Sequence, residues 1–252
     1  MNGKPAPGSL LVIVPAYNEA GAIARVVHEV KENVPGVPVL VIDDCSVDGT
    51  VAQARAAGAD VLPLPHHLGL GGCVQAGYKL AHELGYDYVI RVDGDGQHNA
   101  HDIPRLFERL QESGCEMVIG SRFVTSNGQR TGAARSLGIR FFRLVLRPIL
   151  GTNVYDPTSG FVGVNRLALA VFSRSFPLEY PEIEALVVLQ RRRFRFEEIP
   201  CKFRPRTTGK SSITPLKSLY YIVHVLLGVF VNVLKFERRL HRAPGAEPRP
   251  KG

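Results

Sequence analysis

Four short apolar runs separated by segments of helical spacing constrain this chain more than any other feature. Leu10–Val14 (LLVIV), Val39–Ile42, Val61–Leu64 and Tyr88–Val92 (YVIRV) read as strands. Between them, Ala22–Glu32, Gly49–Ala57 and Gly72–Leu84 place apolar residues on one helical face. Strands alternating with helices predict βαβ units, and so an α/β fold with a Rossmann-like, mostly parallel sheet covered by helices on both faces. Ligands of such sheets bind beyond the carboxyl ends of the strands. Here those ends carry Pro15-Ala16-Tyr17-Asn18-Glu19, Asp43-Asp44 and Asp93-Gly94-Asp95-Gly96-Gln97.

With 252 residues, 45% of them hydrophobic, the chain can bury a core of one large domain, which excludes a disordered or fibrous protein. Cys45, Cys73, Cys115 and Cys201 stand far apart without a C-x-x-C pair, so neither a zinc framework nor a disulfide scaffold is expected. Met1–Ser9 is polar and carries no apolar core of a secretory signal, which points to a cytoplasmic location. Charge is divided unevenly. Residues 1–120 hold 8 Lys/Arg and 15 Asp/Glu, whereas residues 121–252 hold 23 and 8. The second half is therefore expected to meet an anionic partner. No recognition-helix motif supports nucleic acid as that partner.

Carboxylates gathered at strand ends repel one another, and a cation bridging to phosphate oxygens relieves the repulsion. Oxygen ligands favour Mg2+ or Mn2+. Ordered along the chain are VPAYNE (14–19), VIDDCSVDGT (41–50), LGLGGCVQAG (68–77), VDGDGQH (92–98), IGSRF (119–123), DPTSGF (156–161) and RTTGKSS (206–212). In that order they resemble the family 2 glycosyltransferases, and within them the polyprenyl-phosphate (dolichol-phosphate) mannose synthase group. The resemblance spans residues 9–213. It implies a GT-A fold, a nucleotide-sugar donor, a divalent metal and inversion at the anomeric carbon.

Carried over residue by residue, the resemblance places Pro15, Tyr17, Glu19, Ile42 and Asp44 on the nucleotide, with Val92, Asp93, Gly94 and Lys210 completing the donor site. It makes Asp93, Asp95 and Gln97 the metal and diphosphate ligands, and it sets Arg122 and Arg206 against donor or acceptor phosphate, with Asp95, Arg122 and Arg206 as the catalytic set. A guanidinium fork suits that work because it pairs with phosphate bidentately. Three departures stand out: Ser212 where the group has a lysine, with Lys210 two residues earlier; Pro65-His66-His67 before the glycines; and Val162 after TSGF.

Plainer roles compete at several positions. Asp44 suits a cap of the following helix or turn, with Ser46 or Asp48 as helix caps ahead of Thr50. Gly69, Gly71 and Gly72 do not complete a dinucleotide fingerprint and read as loop. His66, His67, His98 and His101 form no H-x-x-x-H pair and read as exposed or loop histidines, and Arg191-Arg192-Arg193 reads as a solvated helix end.

A polyprenyl phosphate acceptor is anionic and can attack without a base. A sugar hydroxyl would need one, for which Glu182 and Glu184 are the candidates, although acids also suit a helix N-terminus. Gly138–Leu150 (GIRFFRLVLRPIL) reads as a basic amphipathic helix, and Leu219–Leu234 is apolar but, at ~24 Å as a helix, short of a ~30 Å hydrocarbon core. The expected plan is a flexible 1–8, a catalytic domain over 9–213, an apolar and basic interfacial extension over 214–242 and a disordered 243–252. Together these place the protein peripherally on an anionic membrane surface at the cytoplasmic face. The competing readings are transfer to a sugar hydroxyl and a catalytically silent membrane adaptor.

Overall fold

The computed structural model describes residues 5–124, 147 and 150–205. Arg206, Lys210, most of the 138–150 segment, the apolar run 219–234 and the basic tail lie outside them. β1 (Leu10–Ala16) is central, paired in parallel with β2 (Val39–Asp43) on one side and β4 (Tyr88–Arg91) on the other. β3 (Asp60–Pro63) extends the sheet in parallel beyond β2. Past β4 the direction reverses: β6 (Val162–Asn165) lies antiparallel between β4 and β5 (Met117–Ser121), and β7 (Phe196–Pro200) closes the edge parallel to β5. The order is thus β3-β2-β1-β4-β6-β5-β7, a mostly parallel mixed sheet as the α/β reading expects.

β1 continues two residues beyond the expected stop at Val14. Pro15 is tolerated there because β4 has already ended at Arg91, and the Pro15 carbonyl is used instead, accepting from Gly94 N at 3.2 Å.

Alternation along the strands decides what each face buries. Val12, Val14, Val41 and Ile90 join one apolar cluster with Ile23, Val26, Val27 and Val30 of α1 (Ile23–Asn33), Ala54 of α2 (Thr50–Ala56), and Ile103, Leu106 and Leu110 of α4 (Ile103–Glu112). Ile13 and Ile42 point the other way, toward α3 (Gly69–Leu84), which packs beside α5 (Arg166–Phe172). Each fully buried aliphatic side chain contributes about 1.5–3 kcal/mol. α6 (Pro181–Arg191) follows and ends within the Arg191–Arg193 run, where Arg192 and Arg193 are exposed as expected.

The glycine run departs from its loop reading, because α3 begins at Gly69 and not at Gly72. Gly71 and Gly72 are buried in its first turns, and a Cβ on Gly71 would lie 2.5 Å from Leu178 Cα and from the Pro177 carbonyl oxygen. Its role is close helix-to-backbone packing. Gly71→Ala is expected to destabilise the fold by about 1–3 kcal/mol, since backbone cannot move aside as a side-chain tip can; urea denaturation measures it.

Cys73 and Cys115 are buried free thiols, and Cys45 and Cys201 are partly exposed ones. Burial pushes the Cys73 and Cys201 thiols each up to about 12. Native protein treated with iodoacetamide at mildly alkaline pH is therefore expected to keep both unmodified, as read by peptide mass, because the thiolate is the reacting form.

Candidate active site

The loops after β1 and β2 are stapled to each other. Asn18 N donates to Ser46 Oγ and Val47 N returns a bond to Asn18 Oδ1, both at 2.9 Å. Glu19 N donates to Thr50 Oγ1 at 2.9 Å, and Ala20 N to Asp48 Oδ2 at 3.2 Å. Asp48 also accepts from Thr50 N at 2.9 Å, so it closes the turn into α2 much as the capping expectation holds, although Gly49 occupies the cap position itself. Two non-glycine residues sit at positive φ in these loops, Asn18 at 55° and Cys45 at 65°. Such backbone is held only where surrounding bonds over-determine it, and here the cross-loop bonds do so.

Beside that staple, Tyr17 is 46% exposed, its ring 4.2 Å from the His67 ring. Asp44 is buried, accepts from Leu68 N at 2.7 Å and lies 2.9 Å from His67 Nδ1. Asp44 thus fastens the start of α3, the helix after β3 and not the one that follows it in the chain. Pro15, Tyr17, Glu19, Ile42 and Asp44 all converge on the carboxyl ends of β1 and β2, with Pro15 and Ile42 paired in register.

The D-G-D loop lies at the next strand end. Asp93, Asp95 and Gln97 are half-buried, while the intervening Gly94, Gly96 and His98 are buried, so the three oxygen-bearing side chains alternate onto the more open side. Asp95 accepts from Gln97 N at 3.0 Å, and the Gln97 side-chain amide also reaches Asp95. Two carboxylates and an amide form a hard donor set that fits Mg2+ or Mn2+. No ready-made cluster of three His, Cys, Asp or Glu exists among the described residues, and Asp93 already has a side-chain partner.

Its partner is Arg91, which sequence reasoning passed over. The Arg91 side chain is 2% exposed, with Nε 3.0 Å from Asp93 Oδ1 and Nη2 2.9 Å from both Asp93 Oδ1 and Glu182 Oε1. Burial alone would raise the Asp93 carboxyl, but the Arg91 guanidinium holds it below the usual carboxylate range. His98 lies in the loop after β4, as one half of its reading expects, but it is buried rather than exposed, and it accepts from Asp93 N through Nδ1 at 3.0 Å. Burial depresses its pKa, so the ring is neutral with its proton on Nε2, 3.6 Å from Asp93 Oδ2. A charged residue inside an apolar strand, two positions before the first of two aspartates, was the signal available in the sequence.

The DPTSGF segment supports both neighbours. Asp156 holds Arg122 in a bidentate pair, Nε to Oδ2 and Nη2 to Oδ1 at 2.7 Å each, and accepts from Arg122 N at 3.0 Å. Arg122 remains 21% exposed at the end of β5. Ser159 Oγ donates to the Gly120 carbonyl at 2.6 Å, and Phe161 stacks on His98 with centroids 5.1 Å apart. Gly160 has no room for a side chain: a Cβ there would lie 2.5 Å from Asp93 Oδ2 and 2.7 Å from Arg91 Nη2.

Glu182 and Glu184 occupy the first turn of α6, as a helix N-terminus favours. Glu182 serves Arg91, and Glu184, buried, accepts from Tyr180 N at 3.3 Å. Residues 203–205 return to the D-G-D loop, where Arg204 N donates to the Gln97 carbonyl at 2.8 Å and Arg204 pairs with Glu29 at 2.6 Å. The described chain stops there, one residue before Arg206.

A mixed sheet of this order, with stapled loops after β1 and β2 and an acidic loop after β4, defines a glycosyltransferase of the GT-A fold. The chain belongs to glycosyl transferase family 2, whose model matches residues 11–172, from β1 to the end of α5. It is 30% identical over 217 residues to undecaprenyl-phosphate mannosyltransferase of Micrococcus luteus, covering 81% of this chain and 87% of that protein. It is likewise 30% identical over 217 residues to polyprenol monophosphomannose synthase of Mycolicibacterium smegmatis, covering 81% and 80%. Among solved structures, glucosyl-3-phosphoglycerate synthase of Mycobacterium tuberculosis, crystallised with Mg2+ and uridine diphosphate, superposes with a TM-score of 0.67 at 23% identity, over 88% of this chain and 78% of that one. This last likeness is one of fold.

Proposed function

We propose that the protein transfers a sugar, with inversion and with help from a divalent cation, from a nucleotide-sugar donor to polyprenyl phosphate. The observation that carries this reading is the commitment of both candidate bases. Glu182 is spent on Arg91, and Glu184 is buried against the start of its own helix. An acceptor that brings its own negative oxygen needs neither. The names of the M. luteus and M. smegmatis relatives support the same acceptor class.

In this reading Tyr17, Glu19 and Asp44 receive the nucleotide in a cleft prepared by the stapled loops, so little ordering is needed on binding. Asp93, Asp95 and Gln97 would hold the cation, which when bound offsets charge on the departing diphosphate. Arg122, oriented by Asp156, presents its fork to the phosphates from the β5 side, and Arg206 is assigned the same work from the chain that follows Arg204. Attack comes from the acceptor oxygen on the face opposite the leaving group.

Among the described residues no helix is long and apolar enough to cross a membrane. The lipid acceptor is assigned to an interfacial extension over 214–242, placed on anionic lipid at the cytoplasmic face.

The test incubates purified protein with Mn2+ or Mg2+, radiolabelled nucleotide sugars and either polyprenyl phosphate or the corresponding polyprenol. Label in the lipid phase with the phosphate alone is the expected result. Transfer to the alcohol, or only to a soluble saccharide, would overturn the acceptor assignment in favour of hydroxyl chemistry.

A further inference from the structure

We propose that Arg91 is a built-in countercation for Asp93, anchored by Glu182, which keeps the bare protein from binding the divalent metal tightly and makes metal binding depend on the donor nucleotide. This rests on the reading of Asp93 as a metal ligand.

The geometry has three parts. Arg91 lies in the strand leading into the D-G-D loop, and since Ile90 faces the α1 and α4 cluster, Arg91 faces the opposite side of the sheet. A guanidinium buried there needs carboxylate partners, and it has two, separated by 91 residues of chain on its Glu182 side. Both Nε and Nη2 reach the same oxygen, Asp93 Oδ1. The position is tight as well as paired, because Gly160 packs against both Asp93 Oδ2 and Arg91 Nη2 without space for a methyl group. Arg91 therefore cannot swing out to meet substrate and is a positioning residue.

Its effect on a cation follows from charge. A permanent positive charge in hydrogen-bonding contact with a ligand oxygen repels a divalent ion arriving at that carboxylate, and burial leaves the repulsion poorly screened. Two aspartates then give an incomplete countercharge for the ion. A nucleoside diphosphate adds the missing negative charge and oxygen ligands, so metal and nucleotide are expected to bind with strong positive coupling, each raising the other's affinity by the same factor. The pair Arg91–Glu182 is neutral as a unit, so Arg91→Met with Glu182→Gln removes the countercation without stranding a buried charge.

Mn2+ binding to the full chain is measured by electron paramagnetic resonance, without nucleotide and with UDP or GDP, for wild type and for Arg91→Met/Glu182→Gln, with thermal melts confirming that the variant folds. Wild type is expected to bind Mn2+ weakly alone and about tenfold or more tightly with the nucleotide it accepts. The double variant is expected to bind Mn2+ alone about tenfold more tightly than wild type, with smaller coupling to nucleotide. A folded variant whose nucleotide-free Mn2+ affinity equals that of wild type overturns the countercation while leaving the metal site intact. Should the double variant fail to fold, Glu182→Gln alone serves: it strips the negative charge that offsets Arg91 and leaves the guanidinium to Asp93, so nucleotide-free Mn2+ binding is expected to weaken, and no change or tightening counts against the proposal. Absence of Mn2+ binding to wild type, with or without nucleotide, overturns the metal assignment and this inference together.

Discussion

Asp95→Asn is expected to remove nearly all sugar transfer while leaving the protein folded. The side chain is half-buried, and its hydrogen bonds run to Gln97 within the same loop, so an isosteric amide can still accept from Gln97 N through Oδ1. What is lost is one negative charge at the proposed cation and diphosphate site. The measurement pairs initial rates with a thermal melt. Residual activity above about a tenth of wild type, a barrier change of about 1.4 kcal/mol or less, would remove Asp95 from the metal set.

Asp156→Ala should act mainly through stability, by about 3 kcal/mol. The carboxylate is fully buried, both of its oxygens are filled by the Arg122 fork, and it also accepts the Arg122 backbone amide. Truncation strands a guanidinium and a backbone donor that the fold has taken partly out of water, which costs more than losing an exposed ion pair. Transfer should fall further than unfolding explains, because the arginine assigned to phosphate loses its orientation. Urea denaturation and steady-state rates separate the two effects. A stability change under about 1 kcal/mol would reduce the contact to a surface ion pair.

What could be read from the sequence divides along the range of the interactions responsible. β1 through β4 and their helices announce themselves because each is a local run with its own period, and the positions of Tyr17, Asp44 and Asp93 at strand ends follow from that alternation alone. β6 did not, since Val162–Asn165 is four residues long and nothing local states which way it runs or that it inserts between β4 and β5. Arg91 went unread because its meaning lies in Glu182 and Gly160, distant in sequence. Within DPTSGF the resemblance marks the motif, yet its packing work, Asp156 on Arg122 and Ser159 on the Gly120 carbonyl, exists only once the sheet has formed. Arg206 and Lys210 lie beyond the described residues.

The reversed strand also orders events during synthesis. β4 and β5 leave the ribosome before their common neighbour, which is encoded some forty residues after β5 ends. Until Val162–Asn165 emerges, each presents an unpaired backbone edge, while β1, β2 and β3 can already zip together with β4. The D-G-D loop sits at the seam, so Arg91 and Asp93 gain Gly160 and Glu182 only when the late strand and α6 arrive. Nascent chains stalled before residue 160 should therefore be protected from proteolysis in the first three strands yet prone to associate through the β4 and β5 edges, and a nascent-chain release series would reveal a late, cooperative gain of protection at the D-G-D loop.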